Sequence, residues 1–295
     1  MKNYLKLTVY MTGVFILPVL WVISQYGCNA ESQPTAKLTQ AAVSNRTITP
    51  MPVANPGIAD AATIISRPEV PILCYHQVRD YKPSDSKTSR DYIVPASMFS
   101  EQMQALADSG YHAILPNELY DYLTTGKELP SKPVMITFDD TRLDQYTAAL
   151  PELNKHGFKG VFFIMTVSLN KPGYMSKEQV KQLADDGHII GSHTYDHKNV
   201  KTYTSDDWVE QVQRPSQQLQ TITGKPVEYF AFPFGLWNKE AIARLKDHDF
   251  KAVFQLAANR DENDPLYSIR RIIVPGGWSG KSLQKIMTRS FHDHL

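Results

Sequence analysis

From about residue 67 onward, short apolar runs alternate with longer stretches whose apolar residues recur at helical spacing. The runs Pro71–Tyr75, Tyr111–Leu115, Val134–Phe138, Gly160–Met165, His188–Ser192, Tyr229–Phe232, Lys251–Leu256 and Ile269–Val274 read as strands. Between them, Phe99, Met103 and Leu106 share one helical face, and Leu143, Tyr146, Leu150 and Leu153 outline another. Ser176 with Gln179 forms a capping box ahead of a third helix that stops before Gly187. Further helices are predicted over about 205–223, 239–247 and 282–289, with Pro215 kinking or splitting the first. Strands separated by helices imply an α/β chain with a parallel sheet. Seven or eight such units predict a closed or nearly closed, distorted (β/α) barrel.

Barrels of this kind place their chemistry at the C-terminal ends of the strands. The polar residues that follow the apolar runs are therefore the candidates. Val134–Phe138 is followed by Asp139 and Asp140, His188–Ser192 by His193 with His197 four residues on, and Ile72–Tyr75 by His76. Three separate strands thus deliver carboxylates and imidazoles to one rim.

Each feature has a bland reading by itself. An Asp-Asp pair is ordinary in a solvated loop, and a single His is more often structural than a ligand. Together they point elsewhere. Two carboxylates at one site repel each other unless a cation is present. Two imidazoles and one carboxylate form a three-ligand set that leaves coordination positions open. Asp140, His193 and His197 are the predicted ligands of one divalent metal ion; the donor set suits zinc, and also iron, cobalt, nickel or manganese. Such an ion activates a water for attack on a carbonyl. Asp139 is then placed to act as base, and His76 is the candidate acid for the leaving group. No nucleophile motif, phosphate loop or dinucleotide fingerprint accompanies this set.

These residues resemble the polysaccharide deacetylases that share the NodB-homology domain, over roughly residues 68–274. Thr137-Phe138-Asp139-Asp140 is similar to the family's first motif, and the resemblance implies base and metal-ligand roles for its two acids. His193-Thr194-Tyr195-Asp196-His197 is similar to the second, with both histidines as ligands. Phe230-Ala231-Phe232-Pro233-Phe234-Gly235 is similar to a third that lines the substrate groove. Where many members carry an arginine bracing the catalytic Asp, this chain has Ala231, and Arg270 or Arg271 is the expected replacement. His76, the helix at Phe99 and the segment Pro265–Ile272 resemble one subgroup, the poly-β-1,6-N-acetylglucosamine N-deacetylases of biofilm systems. That implies a circularly permuted barrel with the acid His first in the chain. Phe232, Pro233, Phe234, Trp237, Tyr195, Arg270 and Arg271 are the expected substrate contacts. Peptidoglycan and chitin-like oligomers are the rival substrates. An inactive surface domain that only binds polysaccharide is the rival of another class, motivated by Ala231.

The N-terminus bears on where this chemistry happens. Lys2 and Lys6 precede an apolar run from Leu7 to Ile23, the pattern of an export signal. Residues 1–27 are read as a signal peptide or as a lipoprotein or membrane anchor, with Cys28 as the lipidation candidate; cleavage after Ala30 and an uncleaved anchor are the other outcomes. Residues 28–66, rich in Ala, Thr, Pro, Asn and Ser, read as a flexible linker, and 67–295 as the catalytic domain. The expected location is periplasmic or at the cell surface, tethered to the membrane. Formal charge is +1, so nothing electrostatic suggests a nucleic-acid partner. Cys74, the one other cysteine, sits in an apolar run and reads as a buried small hydrophobe. Oligomeric state is not legible.

Overall fold

The computed structural model describes residues 57–292. Its strands are β1 (Ile72–Tyr75), β2 (Gln77–Val78), β3 (Ile93–Val94), β4 (His112–Ala113), β5 (Pro133–Phe138), β6 (Val161–Ile164), β7 (Ile189–Ser192), β8 (Tyr229–Ala231), β9 (Ala252–Phe254) and β10 (Ile272–Ile273). The main sheet runs β10-β1-β5-β6-β7-β8-β9, with β4 added on β5. Every pairing in it is parallel. A bridge between Phe254 and Ile269 sets β9 beside the chain entering β10. The sheet therefore curls until its two edges meet, a distorted barrel with helices outside. The first strand in sequence lies between the last strand and β5.

Side-chain parity explains what fills this barrel. Successive residues of a strand face opposite sides, and strands of a covered parallel sheet are apolar on both. One parity, comprising Ile72, Met135, Val161, Phe163, Tyr229, Ala231, Ala252, Phe254 and Ile269, forms a single buried cluster with residues from all around the ring. This is the interior. The other parity, including Leu73, Tyr75, Ile136, Phe138, Phe162 and Ile164, packs on the helices in a second cluster. The interior is tight enough that a Cβ on Gly191 would lie 2.5 Å from the Phe163 ring.

The helices mostly follow the sequence pattern. Ser176 caps Lys177–Asp185, accepting from the Gln179 N–H at 3.2 Å, while Gln179 Oε1 accepts from the Ser176 N–H at 2.8 Å. The predicted helix over 205–223 is continuous but contains a π-helical turn, Val209–Gln213, just before Pro215. That wider turn accommodates a residue with no N–H to give. Three α-helices among the described residues were not anticipated, one of them the single turn Lys87–Arg90. Pro116–Thr125 buries Leu119 and Leu123 and stops at Gly126, whose φ of 78° suits glycine. Ala61–Ser66 begins at an Asp60 cap and buries Ile64, so the expected linker ends short of residue 66. The predicted features at residues 1–27, Cys28 and most of that linker lie outside the described residues. No helix among the described residues is long and apolar enough to cross a membrane.

Candidate active site

Inward parity continues past the strand ends and decides which polar residues meet. On β1 it runs Ile72, Cys74, His76; on β5, Met135, Thr137, Asp139; on β7, Ile189, Gly191, His193. Ile269 and Arg271 have the same parity on the approach to β10. Asp139 is 3% exposed and Arg271 is 0% exposed. The Arg271 guanidinium donates to Asp139 Oδ1 at 2.7 Å and Oδ2 at 2.8 Å, with a further bond to Thr137 Oγ1 at 3.1 Å. It also lies 5.2 Å from the centre of the Phe163 ring. Burial opposes ionisation of Asp139, but the Arg271 charge and its two hydrogen bonds outweigh it. The carboxyl is held well below the usual range.

Asp140, His193 and His197 form the second half of the site. Asp140 Oδ1 is 3.6 Å from His193 Nε2 and 3.7 Å from His197 Nε2. One donor atom from each of the three lies within 4.8 Å of the others. The His193 Nδ1 proton is committed to the Ala231 carbonyl oxygen at 2.8 Å, which leaves Nε2 as a lone pair facing the cluster. Burial pushes His197 down to about 4, so its ring is neutral and able to ligate. The set fits one divalent ion.

Backbone strain concentrates here. Among the described residues, eight non-glycine residues have positive φ, and five of them (Asp140, Thr141, Thr194, His197 and Phe234) lie in the three segments around this cluster. Gln145, in the π-helical turn Gln145–Ala149, donates through Nε2 to the carbonyl oxygens of both His76, at 2.6 Å, and Asp139. It locks the ends of β1 and β5 together.

The cleft over this centre is lined by His76, Gln77, Ser89, Tyr92, Asp139, Asp140, His193, His197, Phe232, Phe234, Gly235 and Leu256. The polysaccharide deacetylase family model matches residues 126–253, from just before β5 into β9, which includes both acids and both histidines. The match is to part of the chain, and it makes the chain similar to the polysaccharide deacetylases over that stretch. YxkH of Bacillus subtilis (strain 168), named among the polysaccharide deacetylases, is 29% identical to this chain over 217 residues, 72% of this chain and 74% of its own. The peptidoglycan-N-acetylmuramic acid deacetylase PdaA of the same organism is 31% identical over 144 residues, 46% of this chain and 51% of its own. The chain thus spans about half the length of PdaA. The structure of Streptococcus pyogenes deacetylase PplD in complex with acetate is 25% identical, with a TM-score of 0.68, and covers 75% of this chain and 99% of that one.

The expected substrate contacts divide. Phe232 and Phe234 line the cleft, and Phe234 is 57% exposed. Pro233 is buried beneath them. Trp237 packs in the cluster around Phe230 and Phe250, its indole N–H donating to Gln255 Oε1 at 3.0 Å. Tyr195 is absent from the cleft lining. Arg270 has the outward parity and pairs with Glu69 at 2.6 Å, away from the cleft. Arg271 is sealed inside the barrel, so neither arginine is the sugar contact expected of it. The structure assigns the brace on Asp139 to Arg271. Gln77, Ser89, Tyr92, Gln145 and Leu256 were missed. Only Tyr92, next to the apolar pair Ile93-Val94, left a signal in the sequence.

Proposed function

We propose that this deacetylase hydrolyses N-acetyl groups of an N-acetylglucosamine polymer outside the cytoplasm. The observation that carries this reading is the pairing of an ionised, arginine-held Asp139 with the Asp140, His193 and His197 donor set, open to one cleft. Asp140, His193 and His197 would hold a divalent ion, whose chemistry there would be to activate a water and polarise the amide carbonyl. Asp139 stays ionised near neutral pH and sits 3.9 Å from His193 Nε2 through Oδ2, within reach of a proton released at the cluster. His76 lines the same cleft, and its Nδ1 is buried without a partner among the described residues. Burial lowers His76, against the pull of Asp139 and Asp140, so its ring is neutral at rest. It serves as acid by receiving from Asp139 the proton taken from the attacking water and passing it to the leaving nitrogen, a donor atom of each lying within 4.8 Å of the other. The acetate bound to PplD is the product such chemistry releases.

For the polymer, poly-β-1,6-N-acetylglucosamine is the reading favoured by the order His76, Asp139–Asp140, Arg271 along the chain, which resembles that subgroup. The second reading is peptidoglycan, favoured by the named substrate of PdaA. Export and membrane tethering through the basic, apolar N-terminus belong to the same proposal, and cell fractionation tests them.

Acetate release from each polymer, by wild type and Asp139→Asn, tests the reaction. Asp139→Asn should lose roughly a hundredfold or more of turnover while retaining metal. Unchanged turnover would remove Asp139 as base. Acetate from peptidoglycan alone would overturn the choice of polymer. Sugar binding by the wild type with no acetate from any polymer would leave the binding-only alternative.

A further inference from the structure

Residues 77–94 lie outside the stretch matched by the family model, residues 126–253, yet they build one wall of the cleft. The wall is a constructed element. β2 and β3 pair in parallel, with Gln77 opposite Ile93 and Val78 opposite Val94. The Val78 N–H donates to Asp144 Oδ1 at 2.8 Å, fixing the wall to the helix that carries Gln145. Arg79 grips both oxygens of Asp85 at 2.9 Å, and Asp85 also accepts from the Lys82 N–H at 2.6 Å. Those bonds hold the Asp85 carboxyl well below its usual range.

This wall presents an aromatic face and an amide to the cleft. Tyr92 is 38% exposed, and its ring meets His76 edge-on at 4.9 Å. Across the cluster, Phe234 meets His197 edge-on at 4.3 Å. Two exposed rings therefore flank the acids and imidazoles from opposite sides. Large exposed aromatics beside convergent polar groups mark a ligand site. Beside Tyr92, Arg79 Nε donates to Gln77 Oε1 at 2.8 Å, which fixes the amide's orientation and leaves its NH₂ group to donate elsewhere. An apolar platform with an adjacent amide donor matches a pyranose, which has a C–H face and a rim of acceptor oxygens.

We propose that the wall of residues 77–94 is a sugar subsite, in which Tyr92 packs against the pyranose next to the one being deacetylated and the Gln77 amide donates to that neighbour's oxygens. The subsite rests on the deacetylase reading above. It makes the enzyme selective for a chain over a single sugar.

The test compares wild type, Tyr92→Leu, Tyr92→Phe and Gln77→Leu on N-acetylglucosamine and on its β-1,6- and β-1,4-linked pentamers. Wild type should show a KM falling from monomer to pentamer. Tyr92→Leu should raise the pentamer KM about tenfold and the monomer KM less than threefold, erasing much of the length dependence. Tyr92→Phe, which keeps the ring, should lose less, and Gln77→Leu should fall between. A uniform drop in kcat at every length would mean that Tyr92 only packs His76, and would overturn the proposal. Wild-type length dependence in Tyr92→Leu would overturn it as well. If the wild type releases no acetate, the deacetylase reading fails separately. Calorimetric binding of the pentamers then decides the subsite, with equal affinity of wild type and Tyr92→Leu refuting it.

Discussion

Arg271 grips Asp139 through two hydrogen bonds across 132 positions of sequence, and neither residue is exposed enough to be solvated by bulk water. A buried ion pair is a modest source of stability when intact, but breaking it by removing one partner costs about 3–5 kcal/mol. Arg271→Ala should therefore lower the melting temperature markedly. Arg271→Lys keeps the charge but loses the two-pronged geometry. We expect it to fold and to lose roughly ten- to hundredfold in kcat. Wild-type kcat in Arg271→Lys would show that the orientation of Asp139 does not matter.

Removal of the metal should stop the reaction, and zinc should restore it. Losing even an outer partner of a ligand typically weakens metal affinity about 10–100-fold. Asp140→Ala, His193→Ala and His197→Ala should each exceed that loss, as read by metal content after dialysis. Full metal retention in any of the three would remove that residue from the set.

His188 gives a stability signature separate from catalysis. It is 1% exposed, its Nδ1 accepts from the Gly160 N–H at 3.0 Å, and its Nε2 has no partner among the described residues. Burial, aided by the Lys159 charge, pushes it from 6.5 down to about 4. The unfolded chain then binds the extra proton first as pH falls. Stability is full above about 6.5, declines as pH drops toward about 4, and loses up to about 3 kcal/mol over that window. Asn at this position keeps an acceptor for Gly160 and cannot titrate. Denaturant melts of His188→Asn should show a flatter dependence between those pH values than wild type, whatever its absolute stability. An identical slope would show that His188 does not cause the decline.

Gly276 backs onto the cleft wall. A Cβ there would come within 2.3 Å of the Ile93 carbonyl oxygen, 2.4 Å of the Tyr81 hydroxyl and 2.7 Å of Pro95 Cδ. Gly276→Ala must push β3 and Tyr92 toward the cleft or away from it. Overpacking of this kind costs about 1–3 kcal/mol, and the KM for an oligosaccharide should rise with it. An unaltered KM together with an unaltered melting temperature would show that the wall gives way freely.

The sequence made the Asp140, His193 and His197 cluster legible because its members sit at the ends of apolar runs, where parallel-barrel geometry assigns chemistry. The Arg271 brace was half legible. Parity distinguishes Arg270 from Arg271 only once the register of the last strand is known, and Ile269–Val274 is apolar on both faces of the strand. The short strands β2 and β3 left little trace, since two residues each cannot display a period. Neither Trp237 nor Tyr195 lines the cleft, and the reason is of a different kind. Aromatic residues near a catalytic rim look the same in sequence whether they face a ligand or a helix, and here Trp237 faces the core. The helix Pro116–Thr125 escaped because few apolar positions, chiefly Leu119 and Leu123, mark its buried face.

The placement of β1 between β10 and β5 has a consequence for how the enzyme is assembled. Asp139, Asp140, His193 and His197 come from one central stretch of chain and can gather before the barrel is complete. The brace and the acid cannot. Arg271 arrives with the last strand, and His76 waits at the first strand for its second neighbour. Contacts so distant in sequence form late, because closing long loops costs entropy before any contact repays it. A folding intermediate that already binds metal but cannot turn over substrate follows naturally. Catalytic competence would then report that the ring has closed.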